Sequence, residues 1–187
     1  MDFEIVIRKV VGALEAAGVH YALIGGFAMA MRGVQRATMD LDFILMLEDM
    51  AKADEIIRSF GYVRVFHSAN VSQYQSADGS WGRIDILHAF RGPTLGMLRR
   101  AETLPVTEDL SIRVVHREDI IGLKVQALVN DPSRAVRDWS DILMIVESAR
   151  DQGATLDWTL VEDYLKLFDL EDRLGELKAY YGKTRRQ

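Results

Sequence analysis

The sequence predicts an α+β fold, a mixed β-sheet flanked by helices and followed by a C-terminal helical segment. Three observations lead there. The apolar periodicity runs helix, strand, helix, strand, helix, several strands and then helices only, an order that suits neither a doubly wound parallel sheet nor a helical bundle. A short apolar strand runs straight into Gly25-Gly26 and a stretch of helix formers. Between residues 62 and 87 three strand-like runs follow one another, with a turn signal at Asp78-Gly79 that marks a hairpin.

Each element has its own local reason. Phe3, Ile5, Val6, Val10, Val11 and Leu14 recur at helical spacing and Gly18 offers a C-cap, which predicts an amphipathic first helix. Tyr21 to Ile24 is the first strand, and Phe27 to Met31 continues as helix beyond the glycine pair. Leu41 to Leu47 is a second apolar run, broken only by Asp42; Glu48-Asp49-Met50 opens a helix that ends near Phe60, where Gly61 stops it. Tyr62–His67, Val71–Ser76 and Trp81–Leu87 read as strands, the stretch around Arg91-Gly92-Pro93 as irregular, and Ile112 to Val115 as the last strand. From Arg117 the pattern is helical, with at least three helices. The expected organisation is therefore a core over residues 1–116 and a helical segment over 117–187 packed on it, with Asn130-Asp131-Pro132 a further candidate joint.

Composition removes several classes of function. A chain of 187 residues suits one domain with a helical appendage, and 49% hydrophobic against 27% charged residues argues against disorder. With no cysteine there are no disulfides, thiolate nucleophiles or Cys-based metal sites. His20, His67, His88 and His116 stand apart with no HExxH pair, so a zinc site would need tertiary structure to assemble it; His88, just past its predicted strand, reads as facing solvent. The N-terminal stretch is interrupted by charges every few residues, which predicts a cytoplasmic protein with no membrane segment. A net charge of −5 disfavours indiscriminate binding to nucleic acid. Local basic patches are still expected at Arg32 with Arg36, Arg99 with Arg100, or Lys183, Arg185 and Arg186.

The chemistry concentrates in the stretch from Gly25 to Leu45. Asp40 and Asp42 enter a strand two residues apart, so both carboxylates project from one face. Two like charges this close repel each other unless a cation lies between them, and Mg²⁺ is held by a few carboxylates together with substrate phosphates. Asp85, the one acid in Arg83-Ile84-Asp85-Ile86-Leu87, would join the pair if its strand lies alongside. Three carboxylates on neighbouring strands suit two ions about 3.5–4 Å apart. Gly25 and Gly26 let the backbone approach a phosphate closely, and a helix start offers free N–H groups.

In these residues the chain resembles the nucleotidyltransferase superfamily, which shares a Gly-Gly or Gly-Ser turn, a later Asp-x-Asp pair and a third strand Asp. Arg36-x-Thr38-x-Asp40-Leu41-Asp42 looks most like the AbiEii-type group, which includes toxins of bacterial toxin–antitoxin pairs. The resemblance implies a nucleotidyltransferase-like fold and transfer of a nucleotide from an NTP, ATP among them, with release of pyrophosphate. It further implies two Mg²⁺ ions held by Asp40, Asp42 and Asp85, with Asp85 as proton acceptor. It extends more weakly over residues 90 onward, where Lys124 matches a helix lysine and Arg137-Asp138-Trp139-Ser140-Asp141 a basic-Asp-x-x-Asp motif. By that resemblance Lys124 neutralises triphosphate charge and belongs with the catalytic residues. Asp141 orients the triphosphate or the acceptor. Gly25, Gly26, Arg36 and Thr38 are expected to contact nucleotide, although Arg36 and Thr38 have a second reading as shapers of the loop before the strand.

The acceptor stays open between an RNA end such as tRNA, a protein side chain and a small molecule. Lincosamide- and aminoglycoside-modifying nucleotidyltransferases supply the alternative within the enzyme class. A catalytically idle nucleotide-binding module or a purely structural protein is the alternative outside it. A partner antitoxin and a monomer or small homo-oligomer complete the expectations. The plain readings of the single elements are a simple Gly-Gly turn, a solvated strand edge at Asp40 and Asp42, and a helix-surface ion pair for Lys124 with Asp138 or Asp141.

Overall fold

The computed structural model describes residues 3–35, 38–77, 79 and 81–183. The chain falls into two compact units, Met1–Met31 with Arg36–His116, and Arg32–Gln35 with Arg117–Gln187.

In the first unit α1 (Phe3–Val6) passes through a π-helical turn (Ile7–Val11) into α2 (Gly12–Ala16), burying Val6, Ile7, Val10, Val11 and Leu14. β1 (Tyr21–Ile24) feeds directly into α3 (Gly25–Met31) because Gly25 adopts a φ of 68°, a left-handed conformation that costs a glycine little. β2 (Asp40–Met46) and a 3₁₀ turn (Leu47–Asp49) lead into α4 (Met50–Ser59), and β3 (Tyr62–His67), β4 (Val71–Ser76) and β5 (Arg83–Ala89) follow. α5 (Gly92–Arg100), β6 (Glu102–Pro105) and β7 (Ser111–Val114) complete the unit.

The seven strands form one sheet in the order β3-β4-β5-β2-β1-β7-β6. β2 lies parallel to β5 and β1 parallel to β7, while the remaining neighbours are antiparallel. One face of the central strands is a packed core. Leu41, Phe43 and Leu45 of β2 lie beside Ile84 and Ile86 of β5, all buried, and Tyr21 of β1 meets Phe43 edge-on with ring centroids 5.9 Å apart. Burying each such side chain stabilises the fold by roughly 1.5–3 kcal/mol. The same alternation turns Asp40, Asp42, Arg83 and Asp85 to the other face.

The second unit consists of α6 (Arg117–Asn130), a 3₁₀ turn (Pro132–Arg134), α7 (Ala135–Asp151), α8 (Trp158–Lys166), a second 3₁₀ turn (Glu171–Arg173) and α9 (Leu174–Tyr181), joined by the tetrapeptide Arg32–Gln35. α6 packs on α8 where Gly122 leaves room for the Tyr164 ring; a Cβ there would stand 2.6 Å from its Cγ. One turn earlier Asp119 accepts a 2.7 Å hydrogen bond from the Tyr164 hydroxyl. The tetrapeptide is fastened through the carbonyl of Arg32, which accepts from Ser148 Oγ at 2.9 Å, Arg117 Nη2 at 3.2 Å and Gln152 Nε2 at 3.3 Å.

The α+β architecture is as the sequence predicts, with four local differences. The stretch after Arg91 is a regular helix. Pro93 sits in its first turn, and Thr94 closes it with Oγ1, accepting from Arg91 N at 3.2 Å and donating to Arg91 O at 3.0 Å. β6 was invisible because its side chains are mostly exposed and lack alternation. Asn130-Asp131-Pro132 is a turn between two helices of the same unit, with Asp131 Oδ1 accepting from Ser133 N at 3.1 Å. His88 lies inside β5 and is only 2% exposed, held by Ser72 Oγ at 2.9 Å from Nε2 and the Ala69 carbonyl at 3.1 Å from Nδ1. Burial pushes its pKa below the ordinary histidine value. Arg32 is buried as well, so it joins no basic surface patch. Arg36, Asp78, Arg185 and Arg186 lie outside the described residues.

Candidate active site

The parallel pairing of β2 with β5 sets Asp42 directly opposite Asp85 and Asp40 opposite Arg83. Three acids and one base thus form a compact patch on the sheet face away from Phe43. Each of them is half-buried. Asp85 is held by two neighbours. Its two carboxylate oxygens each accept from Arg83 Nη2 at 3.2 Å, and Gln73, opposite it on β4, donates to Oδ2 at 3.3 Å. Burial pushes the Asp85 carboxyl above the usual carboxylate range; Arg83 pulls it back and Asp40 adds to the rise. Net, the carboxyl holds a proton more readily than a free aspartate.

The glycine pair is fitted to these acids. At Gly25 a Cβ would fall inside the Asp42 carboxylate, 2.6 Å from Cγ, so only glycine lets β1 turn into α3 over that side chain. Gly26 faces Thr38 in the same way, with Cβ and Oγ1 of Thr38 each 3.0 Å from where its own Cβ would stand. The Thr38 hydroxyl donates to the carbonyl of Asp40 at 3.3 Å, tying the loop to the start of β2. Gly25, Gly26, Thr38, Asp40, Asp42 and Asp85 are therefore gathered in one place.

These hard oxygen donors fit a divalent cation such as Mg²⁺ by their chemistry. Their side chains are not yet closed around a common point. Among the described residues no group of three His, Asp or Glu side chains forms a ready ligand set, and Arg83 donates to both Asp85 oxygens. Arg83 and Gln73 are the site residues that sequence reasoning passed over. The signal for Arg83 was present, since a residue two before Asp85 on a strand shares its face. For Gln73 there was none, because only the β4–β5 register brings it across.

Lys124 and Asp141 lie in the second unit, in a cluster of their own. Lys124 Nζ donates to Asp141 Oδ2 at 2.6 Å and Asp138 Oδ1 at 3.0 Å, and Arg134 Nε donates to Asp138 Oδ2 at 3.0 Å. Lys124 is 9% exposed, Asp138 0% and Asp141 2%, so this is a buried network linking α6 to α7 and not a helix-surface pair. Burial alone would raise the Asp138 carboxyl, but Lys124 and then Arg134 outweigh it and hold it below the usual range.

Solved structures share the fold that carries this site. The antibiotic-resistance factor ANT(2'')-Ia in solution superposes with a TM-score of 0.66 at 16% identity, over 97% of this chain and 98% of its own. ANT(2'')-Ia in complex with adenylyl-2''-tobramycin gives 0.58 at 14% identity, over 95% and 98%. The lincomycin-bound lincosamide antibiotic adenylyltransferase LnuA gives 0.55 at 15% identity, over 76% and 95%. At these identities the likeness is one of fold. No curated protein sequence matches the chain. The sequence model of one family, described as nucleotidyl transferase AbiEii toxin, type IV TA system, matches residues 11–179. The chain belongs to that family and is a nucleotidyltransferase.

Proposed function

We propose that this nucleotidyltransferase moves an NMP from an NTP, ATP among the candidates, to the end of an RNA such as tRNA, with Mg²⁺ at Asp40, Asp42 and Asp85. The observation that supports the metal reading is the strand register that sets Asp42 against Asp85 with Asp40 on the same face. Bound Mg²⁺ would supply the charge that offsets the triphosphate and the departing pyrophosphate. Asp40 and Asp42 would hold it, and Asp85 would complete the set if Arg83 moved from its oxygens. As the acceptor oxygen bonds to the α-phosphorus and the bond to the β-phosphate oxygen breaks, the acceptor's proton passes to Asp85 as general base. Gly25 and Gly26 leave the backbone open to the phosphates. Thr38 flanks that approach, and family resemblance alone gives Arg36 to the nucleotide.

Lys124 and Asp141 have two competing uses. Family resemblance gives Lys124 to the triphosphate, and the structure gives its ammonium to two carboxylates. NTP affinity and stability of Lys124→Ala, measured together, separate them. The family description supports the toxin reading and an antitoxin partner. Among the described residues no helix is long and apolar enough to cross a membrane, in keeping with a cytoplasmic site of action. Antibiotic modification is the second reading, supported by the fold shared with ANT(2'')-Ia and LnuA.

The test begins with calorimetric titration of each NTP, with and without Mg²⁺, into the wild type and into Asp40→Asn/Asp42→Asn. Mg²⁺-dependent binding that disappears in the double variant is expected; binding that survives it would remove these aspartates from the site. Labelled NTP is then offered with total tRNA, with tobramycin and with lincomycin. Label on tRNA is expected, and label on a drug alone selects the second reading. Binding without transfer to any acceptor would leave an idle nucleotide-binding module.

A further inference from the structure

At the other end of the two acid-bearing strands lies a cavity of about 860 Å³. Met46 ends β2 and pairs with Ala89, which ends β5, and both line it. Four residues separate Met46 from Asp42 and Ala89 from Asp85, roughly 13 Å along extended chain. The cavity is therefore distinct from the acid patch and belongs to no step of the proposed transfer.

Its chemistry is specific. One wall is the face of α5 that carries Leu95, Leu98 and Arg99, at helical spacing three and four, and Phe90 and Leu47 extend it at the rim as exposed large apolar side chains. Arg113 enters from β7; its Nη2 is anchored on the carbonyls of Leu98 at 2.9 Å and Ala101 at 3.3 Å. Arg99 is exposed, and none of the described acids pairs with it. Among the described lining residues Glu48 is the one carboxylate; behind the lining, Asp49 holds His20 at 2.8 Å and Glu15 accepts from the Tyr21 hydroxyl. A volume inside the range of small-molecule sites, mostly apolar walls and an excess of positive charge on one side are the features of a ligand pocket.

We propose that this cavity is a second binding site, for a small organic anion whose apolar body lies between α5 and the ends of β2 and β5 with its acid group at Arg99 and Arg113. The probe is 1-anilinonaphthalene-8-sulfonate, read by fluorescence on the full chain, with N-phenyl-1-naphthylamine as its uncharged counterpart. Saturable binding of one sulfonate per chain is expected, at least tenfold tighter than the uncharged probe. Arg99→Glu weakens the sulfonate at least tenfold while leaving the uncharged probe unchanged, and Leu95→Trp, which fills the cavity from a half-buried position, removes both. Thermal melts establish that each variant is folded, and Arg99, being exposed, is a substitution the fold tolerates. The proposal is overturned if no saturable binding occurs, if both probes bind equally, or if neither substitution changes affinity. Binding that weakens as the chain is concentrated would assign the pocket to a second copy of the chain and overturn it as well.

Discussion

Two clusters of acid and base, one in each unit, differ in their exposure to water. Around Asp138 and Asp141, which Lys124 and Arg134 join, both carboxylates are sealed from water. Around Asp85 the side chains of Asp85 and Arg83 stay 24% and 40% exposed. A dry network is stable only while every partner stays in place. Half-exposed carboxylates can exchange their partners at lower cost. The contrast is what the proposed ligand chemistry of β2 and β5 rests on, and it leaves both uses of the Lys124 cluster to experiment.

The largest effect is expected from Asp42→Asn, which should cut turnover about 10³-fold while circular dichroism and melting stay unchanged. Comparable activity in the variant would erase the distinction between the clusters. Next comes Lys124→Met, which removes the cation that two buried carboxylates share and should cost roughly 3–5 kcal/mol in urea unfolding. Adding Asp138→Asn and Asp141→Asn should restore much of it; if instead activity is lost with stability intact, the cluster belongs to the site. Gly25→Ala forces a side chain into a left-handed φ and into the Asp42 carboxylate, with an expected cost of about 1–3 kcal/mol and a larger fall in kcat than in affinity for NTP. Gly26→Ala, meeting Thr38 at 3.0 Å, should be milder on both counts.

The smallest effects have opposite signs. Asp138 is held below its ordinary range, so it contributes stability above the unfolded carboxylate pKa of about 3.9, lost as pH falls through its lower folded value. Asp85 is pushed up, so its contribution is present below about pH 3.9 and is lost as pH rises through its folded value. At pH 7 and without metal, Asp138→Asn should therefore lower the melting temperature and Asp85→Asn raise it slightly. Scanning calorimetry across pH 3 to 7 would show the two curves diverging, and parallel curves would refute the contrast.

What the sequence disclosed follows from where its signals are strong. Strands with one buried face, such as Asp40–Met46 and Val71–Ser76, announce themselves by alternation, and Gly25 by its place between strand and helix. The acid triad was legible because three charged residues interrupt apolar strands. β6 and α5 were missed because an exposed edge strand has no pattern and Gly92-Pro93 resembles a loop as much as a helix start. His88 was misplaced by one residue of strand length, which was enough to exchange solvent for a buried hydrogen-bond chain with Ser72. Arg83 was overlooked since its partner is fixed by side-chain direction, and the Lys124 network looked like surface because burial across α6 and α7 depends on packing that no single helix records.

The tetrapeptide Arg32–Gln35 has a consequence for how such chains diverge. Gly33, with a φ of 90°, leaves no room for a Cβ beside Gln152, and Ser148 Oγ stands 2.9 Å from where one would be. A recombination crossover at residue 116 would bring α7 from one parent and Gly33 from the other, splitting an interlocked pair across the junction. The helical unit is therefore inherited as two pieces of sequence, and a hybrid in which those pieces disagree would disturb the chain just before the acids of β2.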